Sequence, residues 1–86
     1  MTFPERVEDW APYYQVLYEA GYTDQQIADT AEISRFVANR VRNRNYDRGS
    51  HQPSYGGAMA ILNLIAQACH DGHIPEEALV PLEITP

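Results

Sequence analysis

Between Thr23 and Asn43 the chain carries two short helical patterns with almost nothing between them. Thr23-Asp24-Gln25-Gln26 is a capping box: the threonine hydroxyl accepts from the Gln26 amide while the Gln26 side chain reaches back. Ile27, Ala28 and Ala31 follow at helical spacing and give this helix a narrow apolar face. After Glu32 and Ile33, Ser34 is placed to cap a second helix running to about Asn43, with Val37, Ala38 and Val41 turned inward. Two helices joined so tightly meet at a steep angle, and they close only where the inward side chain is small. Ala28 meets that need, and the pair predicts an all-α fold.

The flanks agree. Glu5 to Ala20 reads as a helix bent near Pro12, with Asp9 as N-cap, Tyr13, Leu17 and Ala20 on one face, and Gly21 as a left-handed terminator. Asn45 to Gly57 is rich in Asn, Asp, Ser, Pro and Gly and reads as a loop, long enough to suggest that it lies on something. Ser54 or a neighbour opens a further helix over Tyr55 to His70. Its apolar face is Ala58, Ile61, Leu62, Ile65, Ala66 and Cys69, widened by Ala60, Leu64 and Ala68. Gly72 ends it, Pro75 begins a short turn, and Pro81 stops that turn, leaving Leu82-Glu83-Ile84-Thr85 as an extended tail. The expected architecture is one domain over 1–86: a compact all-α bundle of about five short helices with a short extended C-terminal tail. Such a small domain has few segments to cover so apolar a helix. Residues 73–86 are therefore expected to serve as a dimerisation tail, with Leu64, Leu82 and Ile84 at a homodimer interface.

Charge is distributed unevenly. The net charge is −6, yet five of the six arginines (Arg35, Arg40, Arg42, Arg44 and Arg48) fall between residues 33 and 48, where Asp47 is the only acid. The remainder sets Arg6 against eleven acids, and the chain has no lysine. One basic segment on an acidic body orients a molecule toward a polyanion. Arginines that merely solvate a helix and pair with acids elsewhere would give the same composition.

The pattern around the arginines carries more. Ala28, Ile33, Ala38 and Val41, with Ile33-Ser34-Arg35 at the turn, resemble the helix-turn-helix of phage Cro and repressor proteins and their relatives. The departure is Glu32, which stands where that family commonly has a glycine. A non-glycine there adopts a left-handed backbone at a cost of about 1 kcal/mol, or the turn has a different shape. The resemblance covers about twenty-two residues, and it implies a second helix that enters the major groove of double-stranded DNA. Carried over by position, Ser34 meets a phosphate or base near the helix start, and Arg35, Phe36, Asn39 and Arg40 face base edges. Asn43 completes the outward stripe with Phe36, Asn39 and Arg40. Arg40 suits guanine O6 and N7, Asn39 suits adenine, and Phe36 either packs on a thymine methyl or is a core aromatic. Arg42, Arg44 and Arg48 are expected on phosphates.

Other chemistry is thin. Cys69-His70-Asp71-Gly72-His73 looks like a ligand cluster, but the second pair that structural zinc requires is missing. No metal, cofactor, catalytic residue or small-molecule ligand is expected. No apolar run approaches a membrane span, the N-terminus lacks the pattern of a secretory signal, and the lone cysteine suits a reducing cytoplasm. The implied function is a sequence-specific, phage-type transcriptional regulator, a repressor acting by operator occupancy. An excisionase-like or replication-control protein remains an alternative, as does an interaction module (an anti-repressor or inhibitor) that binds no DNA.

Overall fold

Three hydroxyl residues that the sequence marks as caps each start a helix. A computed structural model describes residues 4, 6–46 and 51–82. Among them lie α1 (Ala11–Glu19), α2 (Asp24–Ala31), α3 (Arg35–Arg42) and α4 (Tyr55–His70), with 3-10 segments at Val7–Trp10 and Glu76–Leu82 and no strand. Thr23 closes the expected capping box: its Oγ1 accepts from Gln26 N–H at 3.1 Å, and Gln26 Oε1 accepts from Thr23 N–H at 2.8 Å. Ser34 and Ser54 cap α3 and α4 by accepting from Val37 N–H and Gly57 N–H. Each such cap is worth about 1 kcal/mol.

The first segment differs from expectation in its start. Asp9 is not a cap but lies inside the 3-10 turn, and α1 begins behind Trp10 with no side-chain cap. Pro12 explains the change. It falls in the first turn of α1 and has no N–H to extend an α-type ladder backward, so the residues before it wind more tightly.

α3 packs on α2 and α1, α4 packs on α2 and α1, and the C-terminal 3-10 segment returns to α1. The core joins Trp10, Tyr14 and Leu17 to Ile27, Ala28 and Ala31 of α2, with Val37, Ala38 and Val41 of α3 and Ile61, Leu62 and Ile65 of α4. Ala28 lies fully buried, as the packing of α3 on α2 requires of a small inward residue. The inner stripe of α4 continues through Ala68, while Ala66 and Cys69 are only half-buried.

The Glu76–Leu82 segment departs most from the sequence reading, and Glu83 to Thr85 of the expected extended tail lie outside the described residues. Pro81 does not stop the last turn. The 3-10 segment runs through it to Leu82, and Leu79 and Leu82 are buried. Proline's fixed φ suits a 3-10 turn, and burying two leucines contributes roughly 1.5–3 kcal/mol each. Tyr13 Oη donates to the Leu82 carbonyl at 2.8 Å and holds the segment down. The next residue on α1 behaves differently: Tyr14 Oη and Trp10 Nε1 are buried without a hydrogen-bond partner, and burial pushes the Tyr14 phenol up.

Candidate nucleic-acid interface

α3 divides cleanly along its length. Val37, Ala38 and Val41 face the core, while Arg35, Phe36, Asn39 and Asn43 are exposed and Arg40 is half-buried. Phe36 is 63% exposed, so it is a surface aromatic and not part of the core. The Arg40 guanidinium lies 4.1 Å from the centroid of its ring. An i, i+4 pair of this kind stiffens a long cation against an aromatic face. Ser34 is exposed at the start of the helix, and Arg44 is exposed just past its end with φ +60°. Arg35 and Arg44 thus lie at opposite ends of a helix whose outer stripe is Phe36, Asn39, Arg40 and Asn43.

Arg42 is a correction. Its Nε and Nη2 donate to the two oxygens of Asp24 at 2.8 and 3.1 Å, and its guanidinium lies 3.7 Å over the Tyr18 ring. Only 11% of the Arg42 side chain and 16% of the Asp24 side chain is accessible. The phosphate contact expected of Arg42 gives way to a brace across α1, α2 and α3. The reason is its place on the helix: four residues after buried Ala38, it leans toward the neighbouring helices and away from the outward stripe. The Arg42 hydrogen bond holds the Asp24 carboxyl below the usual carboxylate range against the opposing effect of burial, with Asn39 adding to the lowering. Asn39 Nδ2 donates to Asp24 Oδ2 at 2.9 Å.

The turn before α3 is anchored from a third side. Glu32 adopts the left-handed conformation, φ 59° and ψ 40°, so a residue other than glycine takes that backbone at this turn. Its Oε2 accepts from Ser54 Oγ at 3.1 Å, which sets a carboxylate at the N-terminus of α4, where the helix dipole favours it. Gly57 lets α4 come this close: a Cβ there would overlap the Ala31 carbonyl.

The remaining expected residues are placed as follows. Arg48 and Ile84 lie outside the described residues. Leu64 is half-buried against its own core. Leu82 is buried within the chain, so the interface role expected of it is withdrawn: the Glu76–Leu82 segment packs on α1 and covers that side chain. Sequence reasoning missed Asp24, which entered it only within the capping-box tetrapeptide, and Gly57, which it placed at the end of a loop. The register of Arg42 beside Ala38 and Val41 was the available signal for the first. The second had none.

Among the described residues no three His, Cys, Asp or Glu side chains gather to hold a metal ion, and no helix is long and apolar enough to cross a membrane. Comparison with protein-family models, curated proteins and solved structures finds no match.

Proposed function

We propose that this chain is a sequence-specific double-stranded DNA-binding regulator of the phage-repressor kind, acting by occupying an operator. The observation that carries the reading is the division of α3. A short helix, buried on one side and braced by Arg42 and Glu32, offers Arg35, Phe36, Asn39, Arg40 and Asn43 outward, with Arg44 just beyond its end. These residue types suit base edges and phosphates: arginine for guanine or phosphate, asparagine for adenine, an aromatic for a thymine methyl. An α-helix fits the major groove of B-form DNA, and one helix of this length reads only a few base pairs. The proposal therefore includes a twofold dimer on DNA, with two α3 helices in successive major grooves about 34 Å apart.

Anisotropy titration of a labelled duplex tests it. Arg42 is held internally, so the phosphate and base contacts are assigned to Arg35, Arg40, Arg44 and Arg48. If three of them displace counterions, the log–log salt slope is about −3 per subunit. Binding that does not weaken between about 50 and 200 mM salt would remove this face as a DNA-binding surface. Footprinting on the chain's own genome should show discrete, palindromic protection. Sedimentation equilibrium with that duplex should show two 9.8 kDa chains per site.

A further inference from the structure

We propose that Asp24, on α2, is a positioning residue for base recognition: it fixes the amide of Asn39 so that α3 reads adenine at one base pair per half-site. The inference rests on the duplex-binding reading and adds a determinant outside α3.

The geometry is specific. Asp24 Oδ2 accepts from Asn39 Nδ2 at 2.9 Å while both carboxylate oxygens accept from Arg42. An asparagine side chain can present either end of its amide, because donor and acceptor are nearly the same size. Here the choice is made by charge. Turning the amide over would set Oδ1 against a carboxylate with no proton between them. With one Nδ2 hydrogen spent on Asp24, Oδ1 and the second Nδ2 hydrogen are left for other partners. Asn39 is exposed, so that acceptor and donor can be offered to an outside partner. The N6 amino group and N7 of adenine in the major groove complement that pair. Arg42 in turn keeps Asp24 ionised and in place, so the brace and the reader share one carboxylate.

Removing the carboxylate should move two readouts in opposite directions. Asp24→Ala releases the Asn39 amide, and discrimination for adenine at that base pair should fall roughly five- to hundredfold. It also deletes a negative charge and frees Arg42, so affinity for a random-sequence duplex should rise and the salt slope should steepen by about one. A role in stability alone would lower both affinities together.

The experiment takes the duplex that wild type selects from a random pool and its single-base-pair derivatives. It compares wild type, Asp24→Ala, Asn39→Ala and the double variant. The expected result is a thermodynamic cycle that does not add: once Asn39 is gone, losing Asp24 costs no further discrimination. Should Asp24→Ala fail to fold, Asp24→Ala with Arg42→Met removes both ionic partners, leaves no unpaired guanidinium, and should lose the same discrimination. Full discrimination in either variant, or additive losses, overturns the role of Asp24 and leaves the duplex-binding reading intact. A wild type that selects no duplex overturns both, before any variant is made.

Discussion

All four α-helices end in a left-handed residue, but they do not end alike. α1 and α4 close on Gly21 (φ 108°) and Gly72 (φ 84°), whereas α2 and α3 close on Glu32 (φ 59°) and Arg44 (φ 60°). The hydrogen bonding is of one kind. Tyr22, Ile33, Asn45 and His73 each send their N–H back five residues, to the carbonyls of Leu17, Ala28, Arg40 and Ala68. Glycine enters this geometry without strain, and an L-residue does so at a cost of about 1 kcal/mol. The two strained ends bracket α3. Where the chain accepts strain it places a charged side chain: Glu32 caps the next helix, and Arg44 extends the exposed basic face. Where it uses glycine, a Cβ at either position would meet nothing within 4 Å, so backbone conformation alone is being served.

The largest expected effect tests the approach that lets Glu32 reach α4. Gly57→Ala drives a Cβ into the Ala31 carbonyl and should cost about 3 kcal/mol, or prevent folding, as read by urea denaturation. Gly56→Ala is the control. Its Cβ would lie 3.7 Å from Glu32 Oε2, an ordinary contact, and helix propensity should make it neutral to slightly stabilising.

Next is the brace beneath α3. Arg42→Ala should cost about 2 kcal/mol at pH 7, because it strips a half-buried carboxylate of its cation and leaves the Tyr18 ring uncovered. The sign of the pH dependence follows from the lowered Asp24 pKa. A carboxyl that titrates lower in the folded state stabilises above its unfolded value of about 3.9, and that stabilisation is lost as pH falls through the folded value. The gap between wild type and Arg42→Ala should therefore hold from neutral pH to about pH 4 and close below it. A gap that persists in acid would mean that the stem and ring packing of Arg42, and not its charge, makes the brace.

The two kinds of helix end can then be exchanged. Gly21→Ala and Gly72→Ala should each destabilise by about 1 kcal/mol through backbone strain alone. Arg44→Gly should do the reverse, raising stability by about 0.5–1 kcal/mol while lowering duplex affinity and flattening the salt slope by about one. Stability and affinity that fell together in Arg44→Gly would show that its guanidinium supports the fold.

What could be read from the sequence divides along the same line. The starts of α2, α3 and α4 were legible because Thr23, Ser34 and Ser54 announce local chemistry that completes within three residues, whereas that of α1, which has no such cap, was misplaced. The core stripes were legible because periodicity is local too. The all-α fold followed from these, whereas the strain at Glu32 was one of two outcomes left open by the resemblance to a family that commonly has glycine there. What escaped depends on residues far apart in the chain meeting in space. Asp24 and Arg42 are 18 positions apart, Glu32 and Ser54 are 22, and Tyr13 and Leu82 are 69. Two of these contacts reassign a residue: Arg42 from phosphate contact to brace, and Leu82 from interface to core. Spacing along one helix could place Asn39 on the outer face, but not show that α2 holds its amide.

The smallest effect is the most discriminating. Glu32→Gly relieves the left-handed strain, a gain of about 1 kcal/mol. The same change removes the bond from Ser54 Oγ and the carboxylate at the α4 N-terminus, a loss of about 1 kcal/mol at this exposed site. Stability should hardly change. Glu32→Ala keeps the strain and loses the contact, so it should fall about 1 kcal/mol below wild type. Glu32→Gln keeps an acceptor and loses the charge, costing a few tenths of a kcal/mol in low salt and less at about 1 M, where such charge effects are screened. These three values, measured as urea midpoints on one chain, separate backbone from side chain at the turn. If Glu32→Gly stabilised as much as Arg44→Gly, the Ser54 contact would contribute nothing. The charged residue at the α2 end would then have no structural reason to replace glycine.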